Sequence, residues 1–157
     1  MRGFEEEEAH PSDAPTAAKS TLRVAIAIAA NEECALETID IKSAFLQGNK
    51  IEREVYIDPP NDLKKEGVIW RLRKPVYGLT DAARAWYFSL LQELLKLKCE
   101  QSQLDNAAFR FYDDKKLAGF VIIHVDDLLT GGCTKFQEQI VDKLLEVYKI
   151  RKREKGS

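Results

Sequence analysis

Hydrophobic and polar positions along the chain predict an alternation of helices and strands. Residues 21–31 carry alanine-rich apolar spacing after a Ser-Thr start, which predicts a helix. The segment CALETIDI predicts a short strand that ends at Asp40, and residues 45–48 predict a turn. Two more strands are predicted at EVYID, which two prolines close, and at VIWRLR.

A helical period begins at Ala82, where apolar residues recur every three or four positions among polar ones. It predicts a long amphipathic helix whose aromatic stripe faces the core. A hairpin follows, in which a turn at DDKK joins the strands AFRFY and LAGFVIIHV; a short strand LLTGG and an amphipathic helix TKFQEQIVDKLLEVY come next. This order fits an α+β two-layer sandwich of the split βαβ type, which normally ends on one more strand.

Composition limits the chain to one ordinary core. It has 157 residues, of which 45% are hydrophobic and 32% charged, so a single domain is expected. No apolar run approaches the ~20 residues that span a bilayer. The N-terminus carries Glu5–Glu8 in place of the basic and apolar regions of a secretory signal. We therefore expect an intracellular protein that is not secreted and has no membrane partner.

Charge divides the chain into three predicted regions. Residues 1–19 contain an acidic run, two prolines and small polar residues, which predict a disordered acidic tail. Residues 149–157 are rich in Lys and Arg and are predicted to form a basic C-terminal tail. Residues 20–148 would form the folded domain. The formal net charge is −2, so nucleic-acid binding would depend on where individual Lys and Arg side chains lie. The three cysteines are far apart without metal-ligand spacing, which predicts reduced thiols.

Three carboxylates stand where apolar strands end. Asp126 and Asp127 interrupt the run FVIIHVDDLLTGG, and Asp40 ends the strand TIDI. A hairpin turn alone explains the adjacent pair, because Asp is common in turns. Alternatively, strands of one sheet bring such ends side by side, where carboxylates repel one another unless a cation joins them. Oxygen ligands favour Mg²⁺ or Mn²⁺ over Zn²⁺, and two such ions about 3.5–4 Å apart serve phosphoryl transfer.

His124 lies two residues before Asp126, so strand alternation places both on one face. Two roles remain open for it: a metal ligand or proton shuttle, or a hydrogen-bonded structural histidine.

Five motifs occur in order along most of the chain. They are IDIKSAFLQG at 39–48, EREVYIDPP at 52–60, WRLRKPVYGL at 70–79, AARAWY at 82–87 and HVDD at 124–127. Together they resemble the reverse transcriptase domain of Ty1/copia-type retrotransposons, from about residue 13 to the C-terminus. The resemblance implies an α+β polymerase palm-like fold, a split βαβ (ferredoxin-like) two-layer sandwich with a partial fingers region.

The resemblance also implies the catalytic residues. Asp40 stands at the first metal-binding aspartate, Asp126 at the second, and Asp127 at its adjacent partner. The carbonyl of Ile41 would lie near a metal as well. The implied cofactors are two ions of Mg²⁺ or Mn²⁺.

Seven residues would contact the incoming dNTP by the same resemblance: Ile41, Lys42, Ser43, Ala44, Phe45, Asp81 and Arg84. The backbone amides of residues 41–44 would approach the triphosphate. Phe45 falls at an aromatic steric gate that excludes a 2′-hydroxyl, the group that distinguishes RNA precursors from DNA precursors. Core packing is the alternative for Phe45.

Two positions depart from the family pattern. Asp81 replaces a common Gln near the nucleotide sugar, and His124 replaces a common Tyr; subgroup variation and decay both remain open. Two roles are open for Arg71, Arg73 and Lys74: they would contact phosphates of the template or the incoming nucleotide, or they would only be solvated side chains of an exposed strand.

The implied function is nucleotidyl transfer from a dNTP to a primer 3′-hydroxyl by a fragment of an RNA-directed DNA polymerase. Its partners would be an RNA or DNA template-primer and the rest of a Gag-Pol-type polyprotein, with the remaining fingers, the thumb and RNase H. It would act in the cytoplasm, a virus-like particle or the nucleus. The alternatives are an inactive retroelement remnant acting as a binding scaffold, exposing an unpaired sheet edge, and another two-metal nuclease.

Overall fold

The computed structural model describes residues 14–51 and 53–156. The helices are α1 (Lys19–Asn31), α2 (Ala44–Gln47), α3 (Ala82–Lys96), α4 (Thr134–Phe136) and α5 (Asp142–Val147), and a π-helical segment (Gln137–Val141) joins the last two. The strands are β1 (Leu36–Ile41), β2 (Tyr56–Ile57), β3 (Trp70–Arg71), β4 (Glu100–Gln101), β5 (Ala108–Asp113), β6 (Lys116–His124), β7 (Asp127–Gly132) and β8 (Ile150–Lys155).

Six strands form one sheet in the order β4-β5-β6-β7-β1-β8, and β2 and β3 form a separate pair. Neighbouring strands of the large sheet are antiparallel throughout. Consequently β1 and β6 run in the same direction, with β7 between them. The strand β1, which carries Asp40, is held on both sides by strands that come much later in the sequence.

Both faces of β6 are buried, which explains its unbroken apolar run. Val121 and Ile123 join the main core formed with α2, α3, α4 and α5. Phe120 and Ile122 face the other way and pack against α1 through Ala25 and Ala29. Helix α1 therefore adds a partial layer that the predicted two-layer sandwich did not include. The palm-like class stays a prediction.

Phe136 is fully buried because two glycines leave room for its ring. A Cβ built on Gly119 would lie 2.2 Å from Cγ of Phe136, and one on Gly132 would lie 2.5 Å from its Cδ1. The ring therefore lies directly on the backbone of β6 and β7 and anchors the C-terminal helices to the sheet.

Several predicted elements differ in extent. Residues 45–48 were predicted as a turn, but α2 covers residues 44–47. The predicted strands EVYID and VIWRLR shrink to two residues each, and those of β3 are exposed. With little apolar surface to bury there, side-chain packing does not extend the ladder.

The predicted basic C-terminal tail is wrong for residues 150–155, which form β8 and pair with β1. A sheet edge was expected to stay unpaired because this last strand was not predicted, but β8 forms and covers one edge of β1. The charges of β8 did not prevent it from pairing, because Arg153 forms an ion pair with the buried Glu37 and the side chains of Arg151 and Lys152 remain exposed. At the other end, residues 14–18 precede α1 and the acidic run lies outside the described residues. Among the residues described, no helix combines the length and apolar character needed to cross a bilayer.

Candidate active site

The three predicted carboxylates come together at one end of the sheet. Asp40 on β1 is the direct cross-strand partner of Asp127 on β7. Asp126 lies in the two-residue turn that joins β6 to β7. Both interpretations of Asp126 and Asp127 therefore apply. Asp126 lies in a hairpin turn, and Asp127 lies opposite Asp40. The metal-binding role of these residues stays a prediction.

A row of ionisable side chains crosses four strands at this point. His124 is opposite Asp127, Asp127 is opposite Asp40, and Asp40 is opposite Lys152. Directly paired residues share a sheet face, so the row lies on the face away from α3. All four residues line an open cavity of about 370 Å³. Two acids are thus flanked by a histidine and a lysine.

The turn itself is held in a rare conformation. Val125 has φ of +58°, a left-handed backbone that β-branched residues seldom adopt. The Trp86 indole donates to the Val125 carbonyl at 2.8 Å, and the Ile41 amide donates to the Asp126 carbonyl at 3.1 Å. These two bonds fix the turn to α3 and β1, and they set where the Asp126 side chain begins.

The carboxylates repel one another. Partial desolvation raises the pKa of Asp127, and the charges of Asp126 and Asp40 raise it further, while His124 and Arg151 oppose the shift. A cation placed among these groups would relieve the repulsion.

Two side chains from other elements already contact the carboxylates. Arg151 of β8 places Nη1 3.5 Å from Oδ2 of Asp40. The Tyr77 hydroxyl donates to Oδ2 of Asp126 at 3.2 Å. Partial burial and the charge of Asp126 raise the pKa of Tyr77, so its hydroxyl stays a donor at neutral pH. Sequence reasoning missed both residues. The available signals were an aromatic residue in the PVYGL motif and a basic residue in the last segment.

The donor chemistry fits a divalent metal, since three carboxylates offer hard oxygen ligands. Their directions do not yet converge: within the described part of the chain, no three His, Cys, Asp or Glu side chains form a group that would hold an ion. Asp40 points to Arg151 and Asp126 points to Tyr77. Holding a metal would require these side chains to change rotamer.

The residues predicted to bind the triphosphate lie at the end of β1 and just beyond it. The Ile41 amide donates to Asp126 and the Lys42 amide donates to the Lys149 carbonyl at 3.0 Å, so both are engaged within the protein. Ser43 adopts φ of +50° and precedes α2, which begins at Ala44. The predicted phosphate contact is thus best placed at the amides of residues 43 and 44.

Phe45 is 8% exposed and belongs to the core. The Tyr77 ring covers it, with centroids 4.2 Å apart and planes tilted by 38°. Core packing therefore describes Phe45 in this arrangement, while its predicted role as a steric gate stays untested. Tyr77, which is 54% exposed, presents the outer aromatic surface beside Asp126.

Asp81 and Arg84 are not placed with the carboxylates. They line a different cavity of about 490 Å³, together with Lys50 and Arg53. Arg53 donates from Nε and Nη2 to the two oxygens of Asp81, each at 3.1 Å. The Arg84 guanidinium lies 4.9 Å from the centroid of the Phe88 ring. The negative charge that distinguishes Asp81 from the family's common Gln is therefore balanced by Arg53.

The basic cluster near β3 is partly structural. Arg71 pairs with Glu54 at 2.9 Å, and the Lys74 ammonium donates to the Gly48 carbonyl. Arg73 is exposed. Of the predicted phosphate contacts, Arg73 is the one best placed to meet a ligand in solution.

Comparison with known proteins gives the family. The family described as reverse transcriptase (RNA-dependent DNA polymerase) matches residues 2–154. The Pol polyprotein of transposon RE2 of Arabidopsis thaliana is 28% identical over 143 residues, covering 89% of this chain and 10% of the relative. That of transposon TNT 1-94 of Nicotiana tabacum is 27% identical over 143 residues, covering 86% and 10%.

The Gag-Pol polyprotein of transposon Ty1-MR1 of Saccharomyces cerevisiae is 27% identical over 128 residues, covering 81% of this chain and 7% of the relative. The chain thus spans a tenth or less of the length of these curated relatives. No solved structure matches it. The chain belongs to the reverse transcriptase family, in the form carried by Ty1/copia-type retrotransposon Pol polyproteins.

Proposed function

We propose that the chain is part of an RNA-directed DNA polymerase that extends a primer 3′-hydroxyl with dNTPs by two-metal nucleotidyl transfer, on a palm-like α+β fold with a partial fingers region. Family membership supports the polymerase class. The observation that carries the site is the register that sets Asp40 opposite Asp127, beside the turn that bears Asp126. The folded domain would span residues 20–148 together with β8.

Asp40, Asp126 and Asp127 would hold Mg²⁺ or Mn²⁺ through their oxygens, with the Ile41 carbonyl as a further ligand. When bound, such ions stabilise the charge that develops on the attacking and leaving oxygens. The chain itself positions the ligands. The bonds from Trp86 and Ile41 fix the turn, so Asp126 only has to leave the Tyr77 hydroxyl.

The nucleotide would lie between these carboxylates and the segment at residues 43–45. The amides of Ser43 and Ala44 would contact the triphosphate. The Tyr77 ring and Phe45 beneath it would form the wall against the sugar, which assigns Tyr77 a share in excluding a 2′-hydroxyl. Arg84, next to the neutralised Asp81, would supply positive charge to the substrate from the neighbouring cavity. The template-primer and the remaining polyprotein would be the macromolecular partners.

The test is primer extension on an RNA template with Mg²⁺ or Mn²⁺, comparing the wild-type chain with Asp126→Asn. We expect the substitution to reduce the extension rate by at least about 100-fold, because it removes one stabiliser of transition-state charge. The matched control is Asp114→Asn, an exposed aspartate at the opposite end of β6 with φ of +44°, where Asn is tolerated.

The outcomes separate the candidate functions. Extension that is lost in Asp126→Asn and kept in Asp114→Asn supports the polymerase. Degradation of the strand in place of extension identifies a two-metal nuclease. If neither occurs while the wild-type chain binds Mn²⁺ no better than Asp126→Asn in equilibrium dialysis, the chain is an inactive remnant.

A further inference from the structure

Two cysteines flank the paired ends of β1 and β7, since Cys34 precedes β1 and Cys133 follows β7. The last recorded pair of this ladder is Leu36 with Gly131. Continuing the antiparallel register by two residues on each strand brings Cys34 opposite Cys133. The ladder from Leu36 to Asp40 has no register shift, so we extend it with the same register.

The backbone bonds identify the type of pair. The Cys34 amide donates to Ala29 and the Cys133 amide donates to Ala118, each away from the other cysteine. The Leu36 carbonyl likewise accepts from Gly156, on the β8 side. These directions define a non-hydrogen-bonded pair, whose Cα atoms lie about 4.5 Å apart in an antiparallel ladder. Disulfides join Cα atoms separated by about 4.4–6.8 Å.

Both side chains point to the same face. Leu36 and Leu129 pack with α1, and alternation along the strands puts the two cysteines on that face as well. Cys34 packs in the α1 cluster, and both cysteines line one cavity of about 280 Å³ at the end of α1. Gly131, two residues before Cys133 on the same face, lines this cavity and has no side chain to fill it.

The two thiols differ in exposure. Cys133 is exposed and Cys34 is partly buried. Burial raises the pKa of the Cys34 thiol; a backbone hydrogen bond lowers it in part, and the charges of Glu32 and of a Cys133 thiolate raise it further. Cys133 is therefore the thiol that a reagent meets first, and Cys34 is placed to resolve the product.

We propose that Cys34 and Cys133 form a reversible cross-strand disulfide when the chain meets a low-molecular-weight disulfide such as oxidised glutathione. The Cys133 thiolate attacks one sulfur of the oxidant, which forms a mixed disulfide and releases one glutathione thiolate. The Cys34 thiolate then attacks Sγ of Cys133 and displaces the second glutathione thiolate. One protein disulfide forms, one small disulfide is reduced to two thiols, and the two cysteine protons pass to the buffer.

Treating the full chain with oxidised glutathione in mildly alkaline buffer tests this. We expect two of the three thiols to disappear, the chain mass to fall by two hydrogen atoms, and peptide mapping to recover a Cys34–Cys133 link. Cys99 is the internal control, because it is 3% exposed and burial raises its pKa to about 12. The variant Cys99→Ser should form the link as the wild type does.

The single variants distinguish a built pair from one reactive cysteine. Cys34→Ser should stop at a glutathione adduct on Cys133, and Cys133→Ser should react much more slowly. The thermal midpoint of the oxidised wild type should exceed that of the reduced chain, reversibly with dithiothreitol, and Cys34→Ser should show no such shift. A wild type that retains glutathione on Cys133 as Cys34→Ser does, or that gives only disulfide-linked dimers, overturns the proposal.

Discussion

Val125 illustrates how strain concentrates at single residues near the carboxylates. A β-branched side chain at φ of +58° is costly, and the turn would be easier to build with Asn or Gly there. The conformation persists because the Trp86 indole and the Ile41 amide bind the two turn carbonyls. The position of Asp126 is thus determined by a tryptophan on α3 and by β1 as much as by its own hairpin.

Thr130 offers a prediction at the same scale. It is fully buried on β7, and its hydroxyl has no hydrogen-bond partner among the described residues. Removing an unsatisfied buried hydroxyl relieves its desolvation, so we expect Thr130→Val to raise the free energy of unfolding by about 1 kcal/mol. Urea denaturation measures this. The control is Thr38→Val at an exposed position of β1, where we expect the free energy of unfolding to change by no more than about 0.5 kcal/mol. A loss of stability in Thr130→Val would mean that the hydroxyl has a partner.

At the scale of elements, Asp105 fastens the start of α1 to the loop before β5. Its Oδ2 accepts from the Ala18 amide at 2.9 Å and from the Thr21 hydroxyl, and Oδ1 accepts from the Ala107 amide at 2.9 Å. Burial opposes the charge, but these three donors outweigh it and hold the pKa of Asp105 below its usual 3.8.

Because the folded pKa is lowered, the stabilisation by Asp105 is present above pH 3.8 and is lost as the pH falls through the folded value. We expect Asp105→Asn to lower the free energy of unfolding by about 1 kcal/mol at neutral pH, as loss of a helix cap does. The difference from wild type should shrink in acid. Denaturation at several pH values tests this, with the exposed Asp62→Asn as control. A deficit that stays constant with pH would contradict the ionic origin.

The attachment of β8 to β1 depends on a buried charge. Glu37 is 2% exposed and lies 2.8 Å from Nη2 of Arg153, with Lys155 at 3.4 Å. Arg153→Met should lower the free energy of unfolding by about 3 kcal/mol, because it leaves a buried carboxylate with one weak partner. Lys152→Met, which removes an exposed lysine that pairs with Glu154 and lies opposite Asp40, should change the free energy of unfolding by less than about 1 kcal/mol.

A double variant checks the cause of this effect. Replacing both Glu37 and Arg153 with Met removes the unpaired charge and should recover most of the lost stability. If Glu37→Met/Arg153→Met is as unstable as Arg153→Met alone, packing of the arginine stem and not charge holds the strand.

For the whole molecule, metal binding should appear as stabilisation. A ligand at 100 times its dissociation constant adds about 2.7 kcal/mol to the free energy of unfolding. We expect Mn²⁺ to raise the thermal midpoint of the wild type and of Asp114→Asn, and to leave Asp126→Asn nearly unchanged. Scanning calorimetry with and without Mn²⁺ gives the comparison. Equal shifts in all three chains would place the ion elsewhere.

The parts of the molecule that sequence patterns predicted are those governed by local periodicity. The strands around Asp40 and His124 and the helix from Ala82 follow from apolar spacing, and the meeting of the acids follows once their strands share a sheet. The parts that sequence patterns missed depend on contacts between residues far apart in the chain. The mostly charged residues 150–155 form β8, where Arg153 binds the buried Glu37. Tyr77, which lies 49 residues earlier in the chain, donates to Asp126. No local pattern records such pairings.

The position of β1 between β7 and β8 has a consequence for synthesis of the chain. Its neighbours β7 and β8 are both translated later, and Glu37 precedes its partner Arg153 by 116 residues. The growing polypeptide therefore carries a strand with two open edges, and pairings this distant in sequence generally slow folding. Until β8 has left the ribosome, the strand that carries Asp40 lacks one of its two neighbours, so the carboxylate end of the sheet is completed only when the last strand has been made.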